Sequence, residues 1–143
     1  MVVLALLVAF LGGLAIAFQG PLASQMSSRI GWLESAFIVH IGGAILAGVP
    51  LLVLASGRLS GWRQVPPAAL ASGTLGVALI AAVSYTIPRI GVTATVAVII
   101  TAQLLVGAIL DHFGLIGTDI RPFGWGRGVG IAVLLLGTWL VTR

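Results

Sequence analysis

The chain has no cysteine and no lysine, and its 143 residues include three acids and two histidines. Without cysteine there are no disulfides, no thiolate metal sites and no cysteine nucleophile. The acids Glu34, Asp111 and Asp119 and the histidines His40 and His112 lack the close spacing of a metal-ligand set, so no metal or other cofactor is expected. No glycine-rich phosphate loop ends in Lys-Ser or Lys-Thr. Long polar stretches are missing too, which leaves no room for a soluble catalytic domain. These absences argue against an enzyme.

What is present is apolar. Hydrophobic residues make up 59% of the chain, charged residues 7%, and mean hydropathy is +1.22, outside the range of a water-soluble domain of this length. An all-α integral membrane protein is the class that fits. The seven basic residues are all arginines, placed singly between apolar runs. That pattern suits anchoring in lipid headgroups, so the basic pI near 11.6 is read as a membrane signature and not as nucleic-acid binding. Ala15-Ile16-Ala17 mimics a signal-peptidase site, but no arginine or lysine precedes the apolar run from Val2 to Phe18, so that run is expected to stay as a span.

Five transmembrane helices are predicted in a single membrane domain covering residues 1–143, at about 2–23, 34–55, 68–87, 93–112 and 127–141. The fourth organises the rest. It runs apolar from Thr93 to Leu110, is interrupted once by Gln103, and closes at Asp111-His112. At a rise of 1.5 Å per residue, Gln103 lies ~15 Å in, near the middle of a hydrocarbon core of roughly 30 Å. An amide at that depth needs a partner from protein or trapped water, because lipid offers none. Between the spans, Ser24–Leu33 reads as a short polar loop, Ser56–Pro67 as an interfacial loop with Arg58 and Arg63, Pro88–Gly91 as a tight turn between antiparallel neighbours, and Leu115–Gly126 as a loop. Gln19-Gly20-Pro21 predicts a kinked or loosened helix in the last third of the first span.

An odd span number puts the termini on opposite sides. Arg58, Arg63, Arg121 and Arg127 then face one side and Arg29, Arg89 and Arg143 the other. Four against three gives almost no positive-inside bias, so the sequence does not compel a single orientation.

Gln19, Glu34, His40 and Tyr85 fall toward the side of Arg29 and Arg89 and, with Gln103 at mid-depth, outline a candidate substrate vestibule. Each also has a plainer reading. Glu34 is either a helix-start acid favoured by the macrodipole and paired with Arg29 or Arg89, or a group that binds a transported cation or proton. His40 either donates to a carbonyl of a neighbouring helix or lines the pathway. Gln103 serves as interhelical glue, as lining, or as both. Tyr85 is an aromatic anchor or part of the vestibule. Gln19 sits beside backbone that Pro21 loosens. Asp111 and His112 are expected to join Arg121 and Arg127 in a structural salt-bridge cluster at the opposite face. Glu34 and Asp111 thus fall at opposite ends of the membrane and cannot serve as an acid/base pair.

The run Tyr85-Thr86-Ile87-Pro88-Arg89-Ile90-Gly91, then Gln103-Leu104-Leu105 and Asp111-His112-Phe113-Gly114, with Gly128 and Gly137, resembles the YdcZ-type family, also called DUF606, of the drug/metabolite transporter superfamily. The resemblance covers essentially the whole chain. Glu34-Ser35-Ala36-Phe37 departs from the Ser-Phe-rich start of the second span that is commoner in the family. The resemblance implies a multi-pass protein of the bacterial inner membrane, with five-span chains paired antiparallel into a ten-helix assembly. The partner would be a second copy, as an inverted homodimer, or a paralogous five-span chain. It further implies a small-solute transporter of exporter type that works by alternating access; a non-transporting membrane subunit and a passive channel are the alternatives.

Overall fold

The computed structural model describes residues 2–54 and 59–143. The predicted end of the second span at Ala55 and the loop residues Ser56 and Arg58 lie outside the described residues. In chain order the helices are α1 (Val2–Ile30), α2 (Trp32–Leu54), one-turn α3 (Pro67–Leu70), α4 (Gly73–Phe113) and α5 (Trp125–Val141), with 3-10 turns at Leu59–Gln64 and Leu115–Gly117. No strand occurs among the described residues. Three stretches of them, Val2–Ile30, Trp32–Val53 and Pro67–Phe113, are long and apolar enough to cross a membrane, and Trp125–Val141 is a shorter apolar helix. The fold is therefore the all-α membrane type that composition required.

Two local expectations are corrected. The loop predicted at Ser24–Leu33 is not a loop, because α1 continues to Ile30 and Gly31 joins it directly to α2. The serines that suggested a loop are used within helical packing: Ser28 donates to the Gln25 carbonyl at 2.7 Å, and Ser27 shares a 2.6 Å hydroxyl bond with Ser84 on α4. At Pro21, where a kink or loosening is expected, α1 runs on as one helix from Val2 to Ile30. Second, helix continues through Pro88, Arg89 and Ile90, and the expected four-residue turn shrinks to Gly91 (φ 79°, ψ 169°). That backbone region is essentially open to glycine only.

Gly31 is the same device. Its φ is +101°, its N–H closes on the Ser27 carbonyl at 3.0 Å, and its carbonyl accepts the Ser35 N–H at 3.1 Å, so one residue ends α1 and starts α2. Both glycines sit in an Arg-Ile-Gly triplet, Arg29-Ile30-Gly31 and Arg89-Ile90-Gly91, sixty residues apart. Four residues beyond each comes a fully buried hydroxyl: Ser35 is 0% exposed and Thr95 2%.

The chain divides into two compact units, residues 1–88 and 89–143. In the first, Ala23 on α1, Ala36 on α2 and Ile80 on α4 form a small buried core flanked by Val39 and Val77. Small side chains let helix backbones approach closely, and Ser35 uses that approach to donate to the Ala23 carbonyl at 3.0 Å. The first eighteen residues of α1 lie outside this core and remain exposed.

In the second unit, α5 is held against the part of α4 after Gly91 by a threonine clasp. Thr101 and Thr138 share a 2.6 Å hydroxyl bond, and Thr101 also donates to the Ala97 carbonyl at 2.8 Å. The end of α4 is closed by the following loop. Thr118 donates to the Leu110 carbonyl at 3.0 Å, and the Arg121 N–H donates to that of Asp111 at 2.7 Å, satisfying carbonyls a helix end leaves open.

Gly91→Ala is expected to destabilise the protein by about 1–3 kcal/mol through its positive φ. Gly31→Ala should cost at least as much, because the new Cβ would also run into the Glu34 carboxylate. Gly12→Ala, where a Cβ meets nothing within 4 Å, should be neutral or slightly stabilising. Thermal unfolding in detergent, followed by circular dichroism, separates the three; equal effects at positions 12 and 91 would refute the elbow assignment.

Candidate functional site

The first unit carries a groove of about 850 Å³ whose lining includes Leu33, Glu34, Phe37, His40, Thr74 and Val77. Glu34 and His40 therefore share one depression, although six residues of helix rotate them apart and no hydrogen bond joins them among the described residues. Each is positioned by a glycine. Glu34 folds back over Gly31 at the start of α2, where the helix dipole favours its charge and no Cβ obstructs it.

His40 is fixed at both nitrogens. Nδ1 lies 2.6 Å from the Ala36 carbonyl one turn earlier in its own helix, instead of the carbonyl of a neighbouring helix expected from the sequence, and since a carbonyl only accepts, Nδ1 carries the proton in the neutral ring. The Nε2 edge lies against Gly76 of α4, filling the space a side chain would take there. The role of Gly76 as the seat of an imidazole was not legible in the sequence, because the histidine comes from another helix. Phe37, Thr74 and Val77 were missed as lining. Leu33 and Phe37 share Glu34's helical neighbourhood, which is the signal that would have found them.

Gln103 lines a second groove, of about 410 Å³, in the other unit, together with Gly107, Asp111, Arg127 and Gly130. At its mouth Arg127 Nη1 stands 3.5 Å from Asp111 Oδ2 and donates to the Arg121 carbonyl at 3.2 Å. His112 Nδ1 accepts the Phe123 N–H at 3.0 Å, and its ring meets Phe113 edge-on at 4.7 Å. Of the salt-bridge cluster expected around Asp111 and His112, the Asp111–Arg127 ion pair is present among the described residues, whereas Arg121 joins through its backbone and His112 bonds the Phe123 N–H. Gln19 is exposed on α1, and Tyr85, 62% exposed, lies on α4; neither lines the two grooves described. No group of three or more potential metal ligands occurs among the described residues.

Long apolar helices, intramembrane glycine contacts and arginines at helix ends define a multi-pass α-helical membrane protein. The family model described as "Putative inner membrane exporter, YdcZ" matches residues 4–140, and the chain belongs to that family. Searches of curated proteins and of solved structures returned no significant match.

The two histidines should show opposite neutral tautomers by ¹⁵N NMR, Nδ1–H for His40 and Nε2–H for His112, because one faces a carbonyl and the other an N–H. Gly76→Ala should abolish the His40 signature by displacing its ring while leaving His112 unchanged. An unaltered His40 spectrum in that variant would remove the glycine seat from the site.

Proposed function

We propose that the chain is a small-solute carrier of exporter type in the bacterial inner membrane, made of five-span chains paired antiparallel and working by alternating access. The observation that carries this reading is the shared groove of Glu34 and His40, two ionisable side chains set among apolar walls between helices. Ionisable groups within membrane segments mark solute and ion pathways more often than they serve as structure. In this reading Gln19, Tyr85 and Gln103 are further solute-binding residues.

A count of five spans is supported by the length of Pro67–Phe113, 47 residues where about twenty suffice, and by its break at Gly91. Pairing is supported by Gln103. Its side chain is exposed and has no hydrogen bond among the described residues, yet it lies mid-helix where lipid supplies no partner. An inverted copy would bring a second carboxamide to the same depth, and it would turn one vestibule toward each face, as alternating access between inverted repeats needs. A paralogous chain would serve the same geometry. The near-even arginine count supports the copy.

Because the chain has no cysteine, single replacements are unique reporters. Under mild oxidation Gln103→Cys is expected to form a covalent dimer with itself, whereas Arg143→Cys, at a helix end, is not, since inversion carries it to the opposite face. Crosslinking at Arg143 without crosslinking at Gln103 would establish a parallel pair and sink the inverted one. Labelling Arg63→Cys from outside intact cells should modify about half the molecules; all or none would make a paralogous partner the better reading.

A further inference from the structure

We infer that the groove of Glu34 and His40 takes a protonated amine carried on an apolar body, an inference that rests on reading this groove as the solute vestibule. Its volume of about 850 Å³ lies within the range of small-molecule sites. Leu33, Phe37, Ile38 and Val77 provide apolar walls, which suit a hydrocarbon or aromatic body and offer little to a sugar or other polyol.

The polar atoms in the groove decide the head group, because those placed among the described residues all accept hydrogen bonds. The Glu34 carboxylate has no donor on it and no ion-pair partner among the described residues. His40 has committed its Nδ1 proton to the Ala36 carbonyl, and its Nε2 edge is turned onto Gly76, so it offers the groove no donor. Thr74 has committed its hydroxyl proton to the Ala71 carbonyl at 2.7 Å, leaving its oxygen as an acceptor. No arginine lines the groove among the described residues. An anion would find no side-chain donor there and would meet the Glu34 charge. The positive start of α2 does not rescue it, since Glu34 already folds over that end.

A cation without N–H groups satisfies the charge of Glu34 and none of the acceptors. An ammonium group satisfies both, with up to three donors converging from one atom. Charge-assisted hydrogen bonds are the stronger kind, and an acceptor buried without a donor is costly, so discrimination should fall between amine and quaternary ammonium as well as between cation and anion.

The test is calorimetric titration of the purified chain in phosphatidylcholine nanodiscs, with empty discs subtracted. Four probes share one body: 4-phenylbutylammonium, its N,N,N-trimethyl analogue, 4-phenylbutanol and 4-phenylbutyrate. The primary amine should bind roughly tenfold or more tightly than each of the others. Glu34→Gln should bring its affinity to that of the alcohol, while Glu34→Asp, which keeps the charge, should retain most of it and so separate recognition from misfolding. If the trimethyl probe binds as tightly as the amine and still depends on Glu34, the amine assignment fails and the vestibule reading stands. If Glu34→Gln changes no affinity, or if none of the four probes binds, the inference falls; insensitivity of every bound probe to Glu34 would take the vestibule reading with it.

Discussion

The constraint on which the rest of this structure depends is that lipid cannot hydrogen-bond. Every hydroxyl, amide and imidazole placed along the apolar helices must find its partner in protein or trapped water, and the partners found here define how the helices pack. Ser35 reaches the Ala23 carbonyl, Ser27 reaches Ser84, Thr101 reaches Thr138 and His40 reaches Ala36. Apolar contact cannot choose these positions, because the side chains compete with lipid tails that are equally apolar. The buried core of the first unit is correspondingly small, two alanines and an isoleucine. Register comes from the hydroxyls, and closeness comes from the alanines and glycines beside them.

Two glycines turn this local chemistry into architecture. At Gly31 a single residue with positive φ ends one helix and begins the next, so no loop has to be ordered and no run of unsatisfied backbone lies between them. Gly91 repeats the conformation within the same Arg-Ile-Gly triplet, and each glycine precedes a buried hydroxyl by four residues. The correspondence is incomplete in an informative way. Ser35 has its carbonyl partner, whereas the Thr95 hydroxyl, equally buried, has none among the described residues. Where Glu34 and His40 stand in the first copy, the second has Ala94 and Ile100, so ionisable groups are confined to one elbow.

Much of the fold was legible in the sequence, because hydropathy acts through length and composition, which are local. The described residues of the predicted ranges are helical, apart from a turn at Ala71-Ser72 between α3 and α4. The connections were misread for a physical reason. Serine, proline and glycine are turn formers in water, where a helix competes with solvated backbone; in an apolar environment serine hydroxyls turn inward and the helix persists through Ser24–Ile30 and through Pro88. The repeated Arg-Ile-Gly triplet was the available signal for both elbows. For the site, the placement of Glu34 in the first turn of a helix and of His40 further along it followed from position in the sequence. The pairing of Glu34 with His40 in one groove, and the seating of His40 on Gly76, depend on which face of α4 meets α2. That is a non-local fact, and in a chain with twenty glycines no single one announces its partner.

The way the parts are held bears on how such a chain can work. A carrier needs arrangements of nearly equal energy, and a deep interlocked core would favour one of them strongly. Here the seams are narrow. They rest on a few hydroxyl bonds, each worth on the order of 1 kcal/mol in a membrane, and on glycine surfaces with open space beside Gly107, Gly130 and Gly137. Exchanging one hydroxyl–carbonyl bond for another along a helix face costs little, since α-helices present a carbonyl at every turn. The side chains with fixed geometry are instead those at the candidate site. The His40 ring is held by a carbonyl on one side and a glycine on the other, and Glu34 is laid over Gly31. Adaptable seams around a preorganised polar pair are the arrangement that lets helices shift while the chemistry of recognition stays in place.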